Sequence, residues 1–125
     1  MAQRDITGAV DFGHLASYAA GDDGLIEEVL SLFRHQVEIW MRLLDPRGEP
    51  GVWRDGAHTI KGAALGVGAF ELARVCGEAE QGEAASLGEK TVMLEHIRDA
   101  VNAALADIAA YEHERALKSL KTPRV

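Results

Sequence analysis

The stretch Trp53-Arg54-Asp55-Gly56-Ala57-His58-Thr59-Ile60-Lys61-Gly62-Ala63-Ala64-Leu65-Gly66-Val67 separates into two faces when wound as a helix. With His58 at zero and roughly 100° per residue, Trp53 falls at about 220°, Ile60 at about 200°, Ala64 at about 240° and Val67 at about 180°. On the opposite side Arg54 lies at about 320°, Lys61 at about 300°, Gly62 at about 40° and Leu65 at about 340°. One apolar stripe therefore points inward and one polar, histidine-bearing face points out, as in a helix packed on one side.

The same periodicity extends in both directions along the chain, and strand-like alternation is almost missing. A short leading helix is expected from about Asp11 to Ala20, with Asp11 as N-cap and Gly21 suited to the left-handed position past its end. A second helix starts near Asp23, with Leu25, Ile26, Val29, Leu30, Phe33, Val37, Trp40, Met41 and Leu44 as its stripe. Asp45-Pro46 stops it, because the residue before proline is pushed out of helical geometry. The loop through Pro50-Gly51 leads into the third helix, about Val52 to Gly66. Gly66-Val67-Gly68 then turns the chain into a fourth, about Ala69 to Glu83. Ser86 and Glu89 have the spacing of a capping box. A fifth helix follows from about Leu87 to Leu117, with Leu94, Ile97, Val101, Ala104, Leu105 and Ile108 on one side. The expected fold is all-α: an antiparallel four-helix bundle with a short additional N-terminal helix.

The 125 residues suit one domain spanning 1–125, with flexible ends at about 1–10 and 118–125. Thirteen basic against twenty acidic residues give a net charge of −7, which argues against nucleic acid or an anionic membrane as the main partner. The single cysteine, Cys76, excludes an internal disulfide and reads as a small buried hydrophobe. With no apolar run approaching the length of a membrane span and no secretory h-region behind Met1, the expected location is the cytoplasm. Arg115, Lys118, Lys121 and Arg124 are expected to complement the negative end of the last helix and then fray.

His58 is set apart by its face, which is opposite the apolar stripe. A solvated surface histidine accounts for that placement but not for Gly62 one turn on, where glycine costs about 1 kcal/mol relative to alanine. A glycine there removes bulk beside the imidazole and admits another macromolecule. Lys61 and Arg54 flank the ring and suit a reaction that deposits negative charge on it, such as arrival of a phosphoryl group. Position alone equally allows a solvated lysine at 61.

His58-Thr59-Ile60-Lys61-Gly62-Ala63-Ala64, followed by Gly68, Leu72, Cys76 and Glu80, resembles the histidine-containing phosphotransfer (HPt) domain of bacterial phosphorelays. The family's pattern has lysine three residues after the histidine, glycine at four and ten, leucine at fourteen, and an acid or glutamine at twenty-two. Leu25 to Phe33 is similar to the family's second helix, and the resemblance covers nearly the whole chain. It implies that His58 is the phosphoacceptor, attacking through Nε2. Glu80 would bond the other ring nitrogen and orient the imidazole, Lys61 would stabilise phosphoryl charge, and Gly62 would give steric access. Without the family spacing, Glu80 reads as a surface acid near a helix end. Arg54 and Leu65 are candidates for partner binding, Leu65 either as part of an apolar patch or as a limit on which partners fit.

The resemblance further implies receiver domains of response regulators and hybrid histidine kinases as partners, docked on the second and third helices. The receiver would supply the aspartate and Mg²⁺. No intrinsic cofactor, no nucleic acid, no membrane and a monomeric carrier without a kinase core are expected, since no glycine-rich nucleotide loop is present. Two other classes remain. One is a receiver-binding module that carries no phosphoryl group. The other is a metal-binding bundle enzyme built on Asp11-x-x-His14 and Asp55-x-x-His58. His14, His35, His96 and His113 show no ligand spacing with one another.

Overall fold

The computed structural model describes residues 8–121, and every regular element among them is helical. In chain order these are α1 (Phe12–Tyr18), α2 (Asp23–Met41), α3 (Pro50–Val67), α4 (Phe70–Gln81) and α5 (Leu87–Lys121). The four longer helices form the bundle, and α1 closes one end of it.

Four of the five starts have a local cause. Asp11 caps α1 by accepting from the His14 amide at 3.0 Å, and Asp22 caps α2 by accepting from the Leu25 amide at 3.1 Å. Pro50 opens α3 two residues earlier than expected, because proline's missing N–H is no loss at the first helical position. The box before α5 is closed from both sides: Ser86 N–H donates to Glu89 Oε1 at 3.1 Å, and Glu89 N–H to Ser86 Oγ at 3.2 Å.

The ends differ more from expectation. The last regular residue of α2 is Met41; Leu43 and Leu44 instead bond to the carbonyls of Trp40 and Met41 in a tightened turn, and Leu44 stays buried. Two residues before Glu83, α4 stops at Gln81. Conversely α5 runs past Leu117 to Lys121, so residues 118–121 are helix rather than tail. Nothing in Lys118-Ser119-Leu120-Lys121 breaks a helix; the first breaker is Pro123. Of the expected leading tail, Val10 is buried, and its amide donates to Asp107 Oδ2 at 3.1 Å. The remainder of both expected tails, 1–7 and 122–125, lies outside the described residues.

The core is the predicted one with few exceptions. Trp53, Ile60, Ala64 and Val67 of α3 are all buried, as are Ile26, Leu30, Phe33 and Val37 of α2. Leu25 is exposed, because a side chain in a first turn leans back over the helix start. Val29, Trp40, Met41 and Leu105 are half-buried. Gly68 takes φ +83° and closes α3 in the left-handed conformation. Its carbonyl accepts from the Asp11 amide at 2.9 Å, which seats α1 on the α3–α4 turn.

At about 1.5 Å per residue, α5 with its 35 residues spans about 52 Å. Its far half lies against α1 and α2. Tyr111 stacks on Phe12 with centroids 4.3 Å apart, Glu112 pairs with Arg34, and Arg115 reaches Asp23 at 2.6 Å. Arg115 therefore serves the start of α2 rather than the end of its own helix. Among the described residues, no helix is long and apolar enough to cross a membrane.

Candidate functional site

The outer face of α3 meets the last turn of α4 around one carboxylate. Glu80 Oε2 lies 2.8 Å from His58 Nδ1, and Glu80 Oε1 accepts from Lys61 Nζ at 2.7 Å. An ionised carboxylate only accepts hydrogen bonds, so the contact assigns the proton of the neutral ring to Nδ1 and its lone pair to Nε2. The His58 side chain is 67% exposed, whereas Glu80 is 23% exposed. The carboxylate is thus sheltered and the ring is open. The Lys61 ammonium holds the Glu80 carboxyl below the usual carboxylate range; desolvation opposes it, and the His58 hydrogen bond adds a smaller lowering.

The surroundings explain why these three side chains meet. Lys61 runs its stem across Gly77, where an added Cβ would sit 3.6 Å from Lys61 Cδ. Cys76 lies buried beside them, and desolvation pushes its thiol up to about 12, which leaves it protonated at neutral pH. Gly62, one turn beyond His58, has open space around it: a Cβ there would meet nothing within 4 Å. Nothing among the described residues requires glycine at that position. Leu65 is exposed one turn further on. Arg54 pairs at 3.4 Å with Glu83 and with Asp55, on the same exposed face.

All six residues singled out from sequence therefore lie on or against the outer face of α3. Glu80 contacts both His58 and Lys61; Arg54, Gly62 and Leu65 flank them. The Lys61–Glu80 pair is not anticipated by the sequence reading. In this structure the lysine bonds the carboxylate that orients the ring. Two further residues escape that reading. Buried Trp53 donates its indole Nε1–H to the Ala79 carbonyl at 2.8 Å, and Lys90 Nζ lies 5.3 Å from the Trp53 ring centroid, itself buried. Lys90 sits four residues before Leu94 on the buried stripe of α5, a polar residue at an apolar register; that is the available signal.

The residues of the metal-enzyme alternative make other contacts. Asp11 caps α1, His14 packs edge-on against Phe70, and Asp55 is held by Arg54. No group of three or more His, Cys, Asp or Glu side chains that could hold a metal ion occurs among the described residues. Two surface hollows flank α5, one against α4 and one against α2, and His58 lines neither. The histidine is presented on open surface, a geometry for a macromolecular partner rather than for a small enclosed substrate.

The Hpt domain family model matches residues 25–111. Among solved structures, the chain is similar to the histidine phosphotransferase ShpA from Caulobacter crescentus. The two are 54% identical with a TM-score of 0.75, covering 91% of this chain and 100% of that one. No curated protein matches the chain.

Proposed function

Because the chain belongs to the Hpt domain family and acts in phosphorelay phosphotransfer, we propose that His58 is its phosphoacceptor. The single observation that carries this reading is the Glu80 carboxylate bridging His58 Nδ1 and Lys61 Nζ at 2.8 and 2.7 Å. It holds the ring in the tautomer whose free lone pair is on Nε2.

The step follows from that geometry. The Nε2 lone pair attacks the phosphorus of an aspartyl phosphate on a receiver domain. The N–P bond forms as the bond to the aspartate oxygen breaks, and the aspartate leaves as a carboxylate. The Nδ1 proton stays against Glu80, which favours the positive charge the ring acquires. The phosphoryl group brings close to two negative charges, and Lys61, one helical turn from His58, is the cation within reach of them. Alignment is the main contribution such a carrier makes, because phosphoryl transfer asks for in-line positioning more than for covalent help.

The partners in this reading are receiver domains of response regulators and hybrid kinases, which contribute the aspartate and Mg²⁺. This chain contributes the imidazole and a docking face on α2 and α3 that includes Arg54 and Leu65, with Gly62 keeping the approach clear. It acts as a monomeric carrier in the cytoplasm and has no kinase activity of its own.

Intact-mass analysis after incubation with phosphoramidate tests the reading, with His58→Gln beside the parent. One acid-labile phosphoryl adduct on the parent, absent from the variant, is the expected result. No adduct on the parent would favour a receiver-binding module without transfer, and an adduct on the variant would move the chemistry to another histidine.

A further inference from the structure

We propose that Trp53 is a positioning residue for Glu80, and through it for the His58 ring, by holding the last turn of α4 against α3. The inference deepens the reading of His58 as phosphoacceptor and rests on it.

Glu80 occupies a weak place in its helix. It is the penultimate residue of α4, where the last four carbonyls have no donor within the helix. Two common remedies are missing, since no basic residue lies in the last turn and Gly82 takes φ −91° rather than the left-handed conformation. The Gly82 amide tightens the turn onto the Glu78 carbonyl at 3.0 Å and the Ala79 carbonyl at 3.1 Å. One of those carbonyls, that of Ala79, is instead tied across to α3. It accepts from Trp53 Nε1 at 2.8 Å and from the Gly82 amide at 3.1 Å.

The tie is next to the site in both helices. Ala79 precedes Glu80 in α4, and Trp53 precedes His58 by five residues in α3. Two rungs thus join the same pair of helices, a buried one from indole to carbonyl and an open one from imidazole and ammonium to carboxylate. The buried rung is itself clamped, because the Trp53 side chain is fully buried and Lys90 brings its ammonium over the ring from the first turn of α5. The open rung has little slack. Its two contacts are 2.8 and 2.7 Å, so a shift of the turn by about 1 Å takes both beyond hydrogen-bond range. The Arg54–Glu83 pair also joins the two regions, but at 3.4 Å and exposed it is too weak to replace the buried bond.

Trp53→Phe removes the N–H and keeps a ring in the core. The primary readout is the ring ¹⁵N spectrum of His58, which reports the tautomer. The parent is expected to hold the Nδ1–H form, and the variant to shift toward Nε2–H. Labelling of His58 by phosphoramidate is expected to slow about two- to tenfold, the effect of one hydrogen bond. In a Glu80→Ala background the same substitution is expected to add no further change to either readout. An unchanged tautomer balance, or an equal loss with Glu80 already removed, overturns the proposal, since a merely structural tryptophan acts alike in both backgrounds. If circular dichroism shows that Trp53→Phe does not fold, Lys90→Met decides: a smaller tautomer shift in the same direction supports the proposal, and none overturns it. The tautomer measurement needs no phosphoryl donor. Failure of His58 to accept phosphoryl at all is therefore a distinct outcome, counting against the function and not against the positioning.

Discussion

Replacing Glu80 first by alanine and then by glutamine separates the two bonds its carboxylate makes. Alanine removes both the acceptor for His58 Nδ1, 2.8 Å away, and the partner of Lys61 Nζ, 2.7 Å away. Glutamine keeps an amide oxygen that can accept from the ring but abolishes the ion pair. A hydrogen bond to a charged group contributes about 1.5–3 kcal/mol when well sheltered. With His58 67% exposed, solvent competition lowers the effective value here to about 1 kcal/mol. At about 1.36 kcal/mol per factor of ten, alanine is expected to slow labelling of His58 about fivefold, and glutamine about twofold.

The assay is the initial rate of phosphohistidine formation from phosphoramidate, read by intact mass at fixed pH. Circular dichroism establishes that each variant is folded. A parental rate in Glu80→Ala would refute the reasoning, because it would mean that the ring needs no orienting partner. A larger loss in glutamine than in alanine would also refute it, since glutamine retains the more important contact. The acid limb supplies a second check. The folded carboxyl titrates below its unfolded value, so its stabilising contribution is fully present above the unfolded value of about 4.3 and is lost as pH falls through the lower folded one. Thermal stability of the parent relative to Glu80→Gln should therefore narrow below about pH 4 and be constant above about pH 5.

Gly62 and Gly68 should respond in opposite ways. Since a Cβ at Gly62 meets nothing within 4 Å, Gly62→Ala is expected to raise stability by up to about 1 kcal/mol in a urea titration. Gly62→Leu should take phosphoryl from phosphoramidate at the parental rate and exchange it with a cognate receiver domain at least about tenfold more slowly; equal slowing by both donors would place the effect within the chain. At Gly68, φ is +83° and a Cβ would come within 2.8 Å of the Asp11 carbonyl oxygen. Gly68→Ala is therefore expected to cost about 2–4 kcal/mol and to lower the melting temperature by about 10 °C, and a loss under about 1 kcal/mol would show that α1 is not seated as described.

The bundle was legible in the sequence because its stripes recur at helical spacing and three of its starts carry side-chain caps. Asp11 and the Ser86–Glu89 box depend only on residues three apart, so local sequence suffices. Helix ends were less legible. Whether α4 stops at Gln81 or Glu83 depends on which carbonyls find donors, and one of the two donors to Ala79 comes from Trp53, 26 residues away. In the site, the two faces of α3 were computable from the turn per residue alone. Glu80 was not, because a carboxylate twenty-two residues from a histidine meets it only if two helices pack in one register. The family spacing supplied that register. Lys61 illustrates the remaining gap. Its face was right, but its partner in this structure is set by a neighbouring helix, which periodicity along α3 does not encode.

A phosphocarrier has to satisfy two demands that ordinarily conflict. The imidazole must be held in one tautomer and one direction, which is most easily done by burying it. It must also enter the active site of another protein, which burial forbids. In the proposed reading the demands are divided between the two ring nitrogens of His58. Nδ1 is held from the side by a carboxylate that is itself sheltered, fixed to Lys61, and carried on a turn tied to the core. Nε2 is left to the partner, with glycine rather than a side chain one turn away. His58 is 67% exposed and lines neither hollow beside α5, which leaves the enclosing walls for the proposed partner to supply. The surface that looks least like an active site, open around His58, is therefore the one on which the proposed transfer between two proteins can take place.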